Sequence, residues 1–268
     1  MNALATLLRP VRKRGLAIYT TLAFAYLFTP IAYIFVFSFN DSGKSNIVWQ
    51  GFTLKNWSNP CGAPEVCPAV GNSLKIGLVA TLVATVLGTF VAFALARHRF
   101  RGRGATNLLI FLPMATPEVV MGASLAALFL NWRWQFGYTT IVIAHVMFCL
   151  SFVVVAVKAR ILSLDPRLEQ AAMDLYATEF QTFWKVTFPL VAPGIAGAAL
   201  LAFSLSFDDY IITNFTSGDV TTFPKFVYVS AQRGIPAQAY VVGSAMFFLA
   251  LLIALAAQLP RLRRERSS

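Results

Sequence analysis

The sequence predicts an all-α membrane protein with six transmembrane helices. Of its 268 residues, 57% are hydrophobic and only 12% are charged, whereas soluble domains carry about 25% charged residues. So few charges cannot cover the surface of a soluble globular protein. The apolar residues also come in long blocks of about 18 or more, which is the length needed to cross a hydrocarbon core of about 30 Å.

The apolar blocks follow one another along the chain with polar segments between them. We predict spans at about 16–39, 73–96, 107–130, 138–157, 193–215 and 240–259. The first block is longer than the apolar stretch of a signal peptide, about 7–15 residues, so we expect it to be a retained helix. Pro113 and Pro117 interrupt the third block, and a kinked or broken helix is expected there.

The positions of Lys and Arg predict the orientation. Sixteen of the 22 lie in the N-terminus, the 97–103 loop, the 158–192 loop and the C-terminus, which six spans place on one side. Such an excess is typical of the cytoplasmic side. We therefore expect a cytoplasmic N-terminus (1–15), one transmembrane domain (16–259) and a cytoplasmic C-terminus (260–268). Because the basic residues cluster at the ends of apolar blocks, the net charge of +11 does not indicate nucleic-acid binding.

Two cysteines lie in the long polar loop 41–72, which this topology places outside the cytoplasm. Cys61 and Cys67 can form a disulfide there, because that compartment is oxidising. The alternative is two unpaired thiols. Cys149 lies within an apolar block and is expected to pack. His145 is expected to pack or form hydrogen bonds, because no second His or Cys lies at metal-ligand spacing, and no metal site is predicted.

The cytoplasmic loop 161–192 differs from the other loops because it has helical spacing. Four residues share one face of a short helix: Leu168, Ala171, Ala172 and Leu175. Asp165 suits the cap of this helix and Pro166 its first position. An interfacial helix resting on lipid is one interpretation. The small alanines favour another, since they offer little area to lipid but allow a second protein to approach closely.

The stretch from Leu168 to Ile195 resembles the "EAA" coupling loop of ABC importer permeases. The family pattern is Glu-Ala-Ala, three residues, Gly, then an aliphatic-Leu-Pro group further on. In this sequence Gln170 replaces the Glu and Tyr176 replaces the Gly. Glu169 lies one residue away and about 100° around the helix, so it is not a simple substitute. Loss of the Gly removes an easy positive-φ position, so we expect the turn to differ.

The resemblance implies that this helix docks on a cytoplasmic ATPase dimer and transmits its closure to the membrane helices. The residues that it implies for ATPase coupling are Glu169, Gln170, Ala171, Ala172, Asp174, Tyr176 and Pro189. The chain lacks a G-x-x-x-x-G-K-[ST] phosphate loop. We therefore expect a translocation subunit rather than an enzyme, with no cofactor on this chain and with ATP and Mg²⁺ on the partner.

Other segments extend the resemblance to most of the chain from about Asn72. They are 112–114, 117–121, 145–150 and 204–210. These segments are similar to the second permease subunit of spermidine/putrescine importers, a type I importer fold. The similarity implies a homologous second permease as the partner in a heterodimer, an extracytoplasmic substrate-binding protein, polyamine as the substrate, and location in a bacterial inner membrane.

In-span carboxylates favour a cationic substrate, because such groups are costly and usually line a polar path. On ideal helices, Glu118 lies about 17 Å from Asn107, near the middle of the membrane, and Asp208 about 22 Å from Pro193. No Lys or Arg is expected deep in a span. Nearby aromatic rings could add cation–π contacts. The residues expected to line the path are Glu118, Phe207, Asp208, Asp209 and Tyr210.

Several alternatives remain open. Glu118 could satisfy backbone groups that Pro117 frees or pair with a partner subunit, and Asp208-Asp209 could mark only the outer end of a helix. The same coupling loop also suits an ABC permease for a sugar, ferric ion or thiamine. An ion-driven secondary transporter would usually have inverted repeats or broken helices in both halves, and we find neither in the sequence.

Overall fold

The computed structural model describes residues 3–43 and 46–265, and the side chains of 15–43, 46–253 and 255. The regular secondary structure of this part of the chain is helical, apart from one isolated bridge between Asn40 and Phe52. The helices are α1 (Ala3–Phe37), α2 (Lys55–Ser58), α3 (Val66–Arg97), α4 (Arg103–Ala115), α5 (Glu118–Asn131), α6 (Tyr138–Leu162), α7 (Arg167–Asp174), α8 (Glu179–Thr182), α9 (Phe188–Asp208), α10 (Ile211–Thr216), α11 (Phe223–Arg233) and α12 (Ala237–Glu265). The basic side chains of both termini lie outside the described residues.

Several helices are long enough and apolar enough to cross a membrane. In the described part of the chain four qualify, namely Gly15–Phe37, Val66–Arg97, Tyr138–Leu162 and Glu179–Asp208. The pair α4 and α5 makes a fifth if it is counted as one span, and Ala237–Ile253 is a shorter apolar helix. The all-α multi-span fold is therefore confirmed, while the count of six spans stays a prediction.

The predicted break in the third span is confirmed. The axes of α4 and α5 differ by 109°, and the break is at Thr116-Pro117, both of which have extended ψ angles of 132° and 133°. Proline disfavours the helical conformation in the residue before it, which accounts for the position of the break. Pro113, in contrast, stays within α4.

The predicted bounds of the fifth span, 193–215, are wrong at both ends. The helix begins before Pro193, because α8, a π-helical turn at Phe183–Thr187, and α9 follow without interruption from Glu179. It ends at Asp208, and the short helix α10 follows after Asp209-Tyr210. Arg160 stabilises the continuous segment by donating two hydrogen bonds to the Leu190 carbonyl, at 3.0 and 2.7 Å.

The chain forms two compact units, Pro68–Tyr228 and the two ends of the chain that flank it. In the unit built from the ends, α1 packs along α12 through aromatic pairs such as Phe35 and Phe248. In the Pro68–Tyr228 unit, α6 packs along α9, and α5 along α10. The core of this second unit contains Phe129, Val153 and Ile212.

The loop after α1 is folded around a buried asparagine. Asn40 donates to the Asn46 side chain and to the Val48 carbonyl, both at 2.7 Å, and accepts from the Gln50 N–H at 2.7 Å. Further along the loop, Cys61 and Cys67 form a disulfide with their Cα atoms 5.3 Å apart. The predicted polar loop 41–72 is therefore a structured element, although its last residues already belong to α3.

Close helix packing at Gly88 gives a prediction. A Cβ there would lie 2.6 Å from Val153 Cγ1 and 2.9 Å from Val153 Cβ. We expect Gly88→Ala to destabilise the protein by about 1–3 kcal/mol, because overpacking forces neighbouring atoms apart. Thermal unfolding in detergent measures the effect. Gly197→Ala is the matched control, because nothing lies within 4 Å of its Cβ position, and equal melting temperatures for both variants would contradict the packing.

Candidate coupling surface and carboxylate cluster

Helix α7 forms as the sequence predicts. It begins at Arg167, one residue after Pro166, and the Asp165 side chain accepts a hydrogen bond from the Arg167 N–H at 2.9 Å. This contact satisfies one of the N–H groups that have no partner within the helix. The helix stops after Asp174, and the chain turns at Leu175-Tyr176 towards α8.

Tyr176 adopts the left-handed conformation that a glycine usually supplies. Its φ angle is 61°, and its side chain is 96% exposed. For a residue with a Cβ atom this conformation costs about 1–2 kcal/mol. That the turn differs from the family form stays a prediction. The tyrosine itself adopts a positive φ angle and projects a large ring into open space, where no contact within the described chain accounts for it.

The outer face of the coupling loop exposes small, polar and apolar side chains together. Gln170, Ala171 and Asp174 are exposed on α7. Leu175 beside them is 81% exposed, and Phe180 on α8 is 74% exposed. Contiguous exposed apolar groups beside polar ones are typical of protein interaction sites. Ala172 is only partly exposed, and Pro189 lies further along at the start of α9.

Glu169 points in a different direction from its neighbours on α7. Arg97, at the end of α3, donates two hydrogen bonds to its carboxylate, and the Thr187 hydroxyl donates a third at 2.6 Å. The hydrogen bonds from Arg97 lower the pKa of Glu169. Their stabilising effect is present above the pKa of the unfolded carboxyl group and is lost as pH falls through the lowered pKa. The oxygens of Glu169 are thus engaged within the chain, and its role in ATPase coupling stays a prediction.

A cavity of about 830 Å³ opens beside this ion pair. It lies between α3 and the segment formed by α8, the π-helical turn and α9. Its walls are mainly apolar and aromatic, and Arg97 and Glu169 line its cytoplasmic end. The sequence does not predict this cavity, since its walls come from segments about 90 residues apart.

Two helix breaks bring predicted path residues together. Glu118 is the first residue of α5, and Asp208 is the last residue of α9. Helix α5 packs along α10, which starts three residues after Asp208. Glu118 is therefore close enough to Asp208 and Asp209 for their charges to interact. The bend before Glu118 removes the continuous helix on which its depth estimate rests, and the helix that carries Asp208 begins before Pro193. Both depths stay predictions.

Asp209 is buried and hydrogen-bonded within the chain, and its assignment to the path stays a prediction. It is 8% exposed. Its carboxylate accepts hydrogen bonds from the N–H groups of Ile212 and Thr213, at 3.3 and 2.8 Å, and lies 3.2 Å from His145 Nε2. It thus caps α10, whose first N–H groups have no partner within the helix.

His145 completes this buried network, as its predicted hydrogen-bonding role requires. Its ring nitrogens lie 2.7 Å from the Ser206 hydroxyl and 3.0 Å from the Thr213 hydroxyl. The network thereby ties α6 to α9 and to α10. The other two carboxylates that were predicted to line the path, Glu118 and Asp208, are exposed in the single chain.

The predicted aromatic residues are partly buried and pack against other rings. Tyr210 stacks on Tyr228, with ring centroids 4.2 Å apart, and Phe207 stacks on Phe203 at 5.8 Å. Tyr228 lies on α11, which the sequence analysis did not predict because the helix is short and only partly apolar. Tyr228 is 49% exposed and adds a second phenol ring beside Tyr210.

Comparison with known proteins identifies the family. The model of the family described as "binding-protein-dependent transport system inner membrane component" matches residues 84–264. The chain belongs to this family. It is therefore a membrane translocation subunit of ABC importers and not a member of a catalytic family.

Two relatives from Escherichia coli K12 are similar over most of the chain. The spermidine/putrescine transport system permease protein PotC is 35% identical over 242 residues, covering 90% of this chain and 91% of PotC. The putrescine transport system permease protein PotI is 38% identical over 222 residues, covering 80% of this chain and 79% of PotI.

Solved structures of importers have the same fold. A bacterial ABC transporter that imports the acidic polysaccharide alginate matches with a TM-score of 0.65 at 17% identity, covering 94% of this chain and 98% of that one. The MetNI methionine transporter matches with a TM-score of 0.60 at 17% identity, covering 75% and 95%. Both show the fold alone, and they confirm the type I importer permease architecture.

The different surroundings of the two adjacent aspartates give a prediction. We expect Asp209→Asn to lower the stability by about 1–3 kcal/mol, because it replaces a buried, charge-assisted set of hydrogen bonds. Asp208→Asn should leave the stability unchanged, because Asp208 is exposed. Thermal unfolding of the purified permease in detergent compares the two. A melting temperature for Asp209→Asn equal to that of Asp208→Asn would contradict the structural role of Asp209.

Proposed function

We propose that this chain is a permease subunit that forms part of the translocation path for polyamines such as spermidine and putrescine. The observation that carries the proposal is the pair of exposed carboxylates, Glu118 and Asp208, which two helix breaks bring together. The similarity to permeases named for spermidine and putrescine supports the same substrate class.

The chemistry of the pair suits a flexible polycation. Polyamines carry ammonium groups separated by methylene segments, so two carboxylates and nearby aromatic rings can contact charges and methylenes in turn. A ferric-ion path is less well supported, because the described residues contain no group of three His, Cys, Asp or Glu side chains that could hold a metal ion. An anionic substrate would be repelled by this pair.

The proposed mechanism is alternating access of two paired permeases. An extracytoplasmic binding protein delivers the substrate to this chain and a homologous second permease. A separate ATPase dimer binds ATP and Mg²⁺ in the cytoplasm, where both termini of this chain also lie. Closure of the ATPase moves the coupling loops and favours one of two permease states over the other. The helix break beside Glu118 is a suitable hinge, because a break of this kind absorbs backbone rotation.

Uptake by the reconstituted importer tests the substrate assignment. We expect Asp208→Asn and Glu118→Gln each to reduce polyamine uptake and substrate-stimulated ATPase activity about tenfold, because each removes one carboxylate partner of an ammonium group. The assembled complex should purify in normal yield. Glu65→Gln is the matched control, since Glu65 is an exposed carboxylate outside the cluster.

Competition experiments complete this test. Unlabelled spermidine or putrescine should reduce uptake of the radiolabelled polyamine, whereas maltose, thiamine and ferric citrate should not. Normal uptake kinetics in both carboxylate variants would refute the path, and competition by one of the other solutes would refute the polyamine assignment.

Docking of the ATPase on α7 gives a separate prediction. We expect deletion of 170–176 to remove the ATPase from the purified complex. Ala171→Trp should weaken its binding at least about tenfold, because a large ring prevents close approach at a small exposed residue. Co-purification and titration with the ATPase measure both effects. Leu162→Trp is the control, since Leu162 is exposed but precedes α7. Retention of the ATPase by the deletion variant would rule out this docking site.

A further inference from the structure

Three segments of the chain converge on the carboxylate of Glu169. Arg97 is the last residue of α3, Glu169 is in the first turn of α7, and Thr187 is the last residue of the π-helical turn that leads into α9. Arg97 donates two parallel hydrogen bonds to Glu169, and Thr187 donates one at 2.6 Å. Paired guanidinium–carboxylate bonds fix geometry as well as distance. We refer to these three residues as the Glu169 bridge.

Apart from one contact between two phenylalanine rings, the Glu169 bridge spans helices that are separated at this level. The cavity of about 830 Å³ lies between them, with Phe90 on the α3 wall and Ile195 on the α9 wall. Further from the cytoplasm the helices meet, since a Cβ at Gly77 would lie 3.2 Å from the Phe203 ring. An open space allows relative movement, because no packed side chains resist it. The bridge therefore restrains α3 and α9 where packing does not.

A second contact at the cytoplasmic end of the cavity cannot replace the bridge. Phe93 on α3 meets Phe183 of the π-helical turn edge to face, with ring centroids 5.4 Å apart. This contact joins α3 to the start of α9 but does not include α7. Glu169 is the member of the bridge that belongs to α7, so it connects that helix to both of the others.

The surroundings of the bridge distinguish it from an ordinary surface ion pair. The Glu169 side chain is 19% exposed, and Thr187 is 3% exposed. Thr187 also ends a π-helical turn, a local structure that is rare and frequently found at functional sites. In contrast, Gln170 and Ala171 beside Glu169 are exposed. One residue of α7 is thus directed into the chain while its neighbours remain free for a partner.

We propose that Glu169 is a positioning residue that makes α7, the end of α3 and the start of α9 move as one body. Movement of α7 by an ATPase then reaches two membrane helices at once. The proposal rests on the proposed function, because it requires that an ATPase moves α7. It assigns Glu169 to transmission within the chain and leaves docking to the exposed face of the helix.

Spin-label distances in the complete importer test the proposal. We would label Arg167→Cys on α7 and Leu87→Cys on α3, both exposed, and compare nucleotide-free and ATP–vanadate-trapped complexes in nanodiscs. In the otherwise native chain the distance should be the same in both states. In the Glu169→Gln background it should change between the states, while the amount of co-purified ATPase stays the same.

Transport efficiency provides the second measurement. The substrate transported per ATP hydrolysed should fall by about fivefold or more in Glu169→Gln, in the range of typical coupling energies. The double reversal Arg97→Glu/Glu169→Arg should recover most of this loss. Glu179→Gln is the matched control, since Glu179 is an exposed acid of the same loop that lines the same cavity.

Two results would overturn the proposal. One is loss of the ATPase from the Glu169→Gln complex, which would make Glu169 a docking residue. The other is a label distance that responds to nucleotide equally in the native and Glu169→Gln backgrounds. The distance measurement needs no transported substrate. If the polyamine assignment is wrong, the importer will not take up polyamine, but the expected distance result stays the same.

Discussion

A helix that begins within an apolar segment exposes backbone N–H groups that must find other partners. Asp209 supplies them at the start of α10, and the nearby His145 holds the carboxylate in place. Because His145 also contacts Ser206 and Thr213, one buried network fixes the end of α9, the start of α10 and their position on α6. The remaining features of the carboxylate cluster, which consists of Glu118, Asp208 and Asp209, depend on this network.

The different roles of the adjacent residues Asp208 and Asp209 follow from this constraint. A carboxylate that caps a helix cannot also follow a moving ligand, because its oxygens are already occupied. Asp209 therefore stabilises the break between α9 and α10, and Asp208 remains exposed beside Glu118. Glu118 is itself at a helix start, where a negative charge is favourable. The two breaks thus produce a pair of available carboxylates that an unbroken helix would place on different levels.

The sequence predicts the elements better than it predicts their ends. Apolar blocks, proline positions and the α7 pattern are local properties, so the spans, the break at Pro117 and the start of α7 could be predicted. The end of α9 at Asp208 depends on His145, about 60 residues earlier, and no local pattern reveals it. Pro193 suggests a helix start, but Arg160 from α6 supports the helix through that point. Helix α11 and Tyr228 were missed because that helix is short and only partly apolar.

The coupling loop holds a tyrosine in a conformation that glycine usually supplies. Tyr176 has a positive φ angle, which argues that the turn between α7 and α8 is required in this form even at a cost in conformational energy. Two adjacent residues of α7 differ in their surroundings, since Gln170 is neutral and exposed and the charge lies on Glu169. A shift of one residue turns a side chain by about 100° on a helix. The charge of Glu169 consequently lies in the contact that joins α7 to α3 and α9, while its neutral neighbour is exposed.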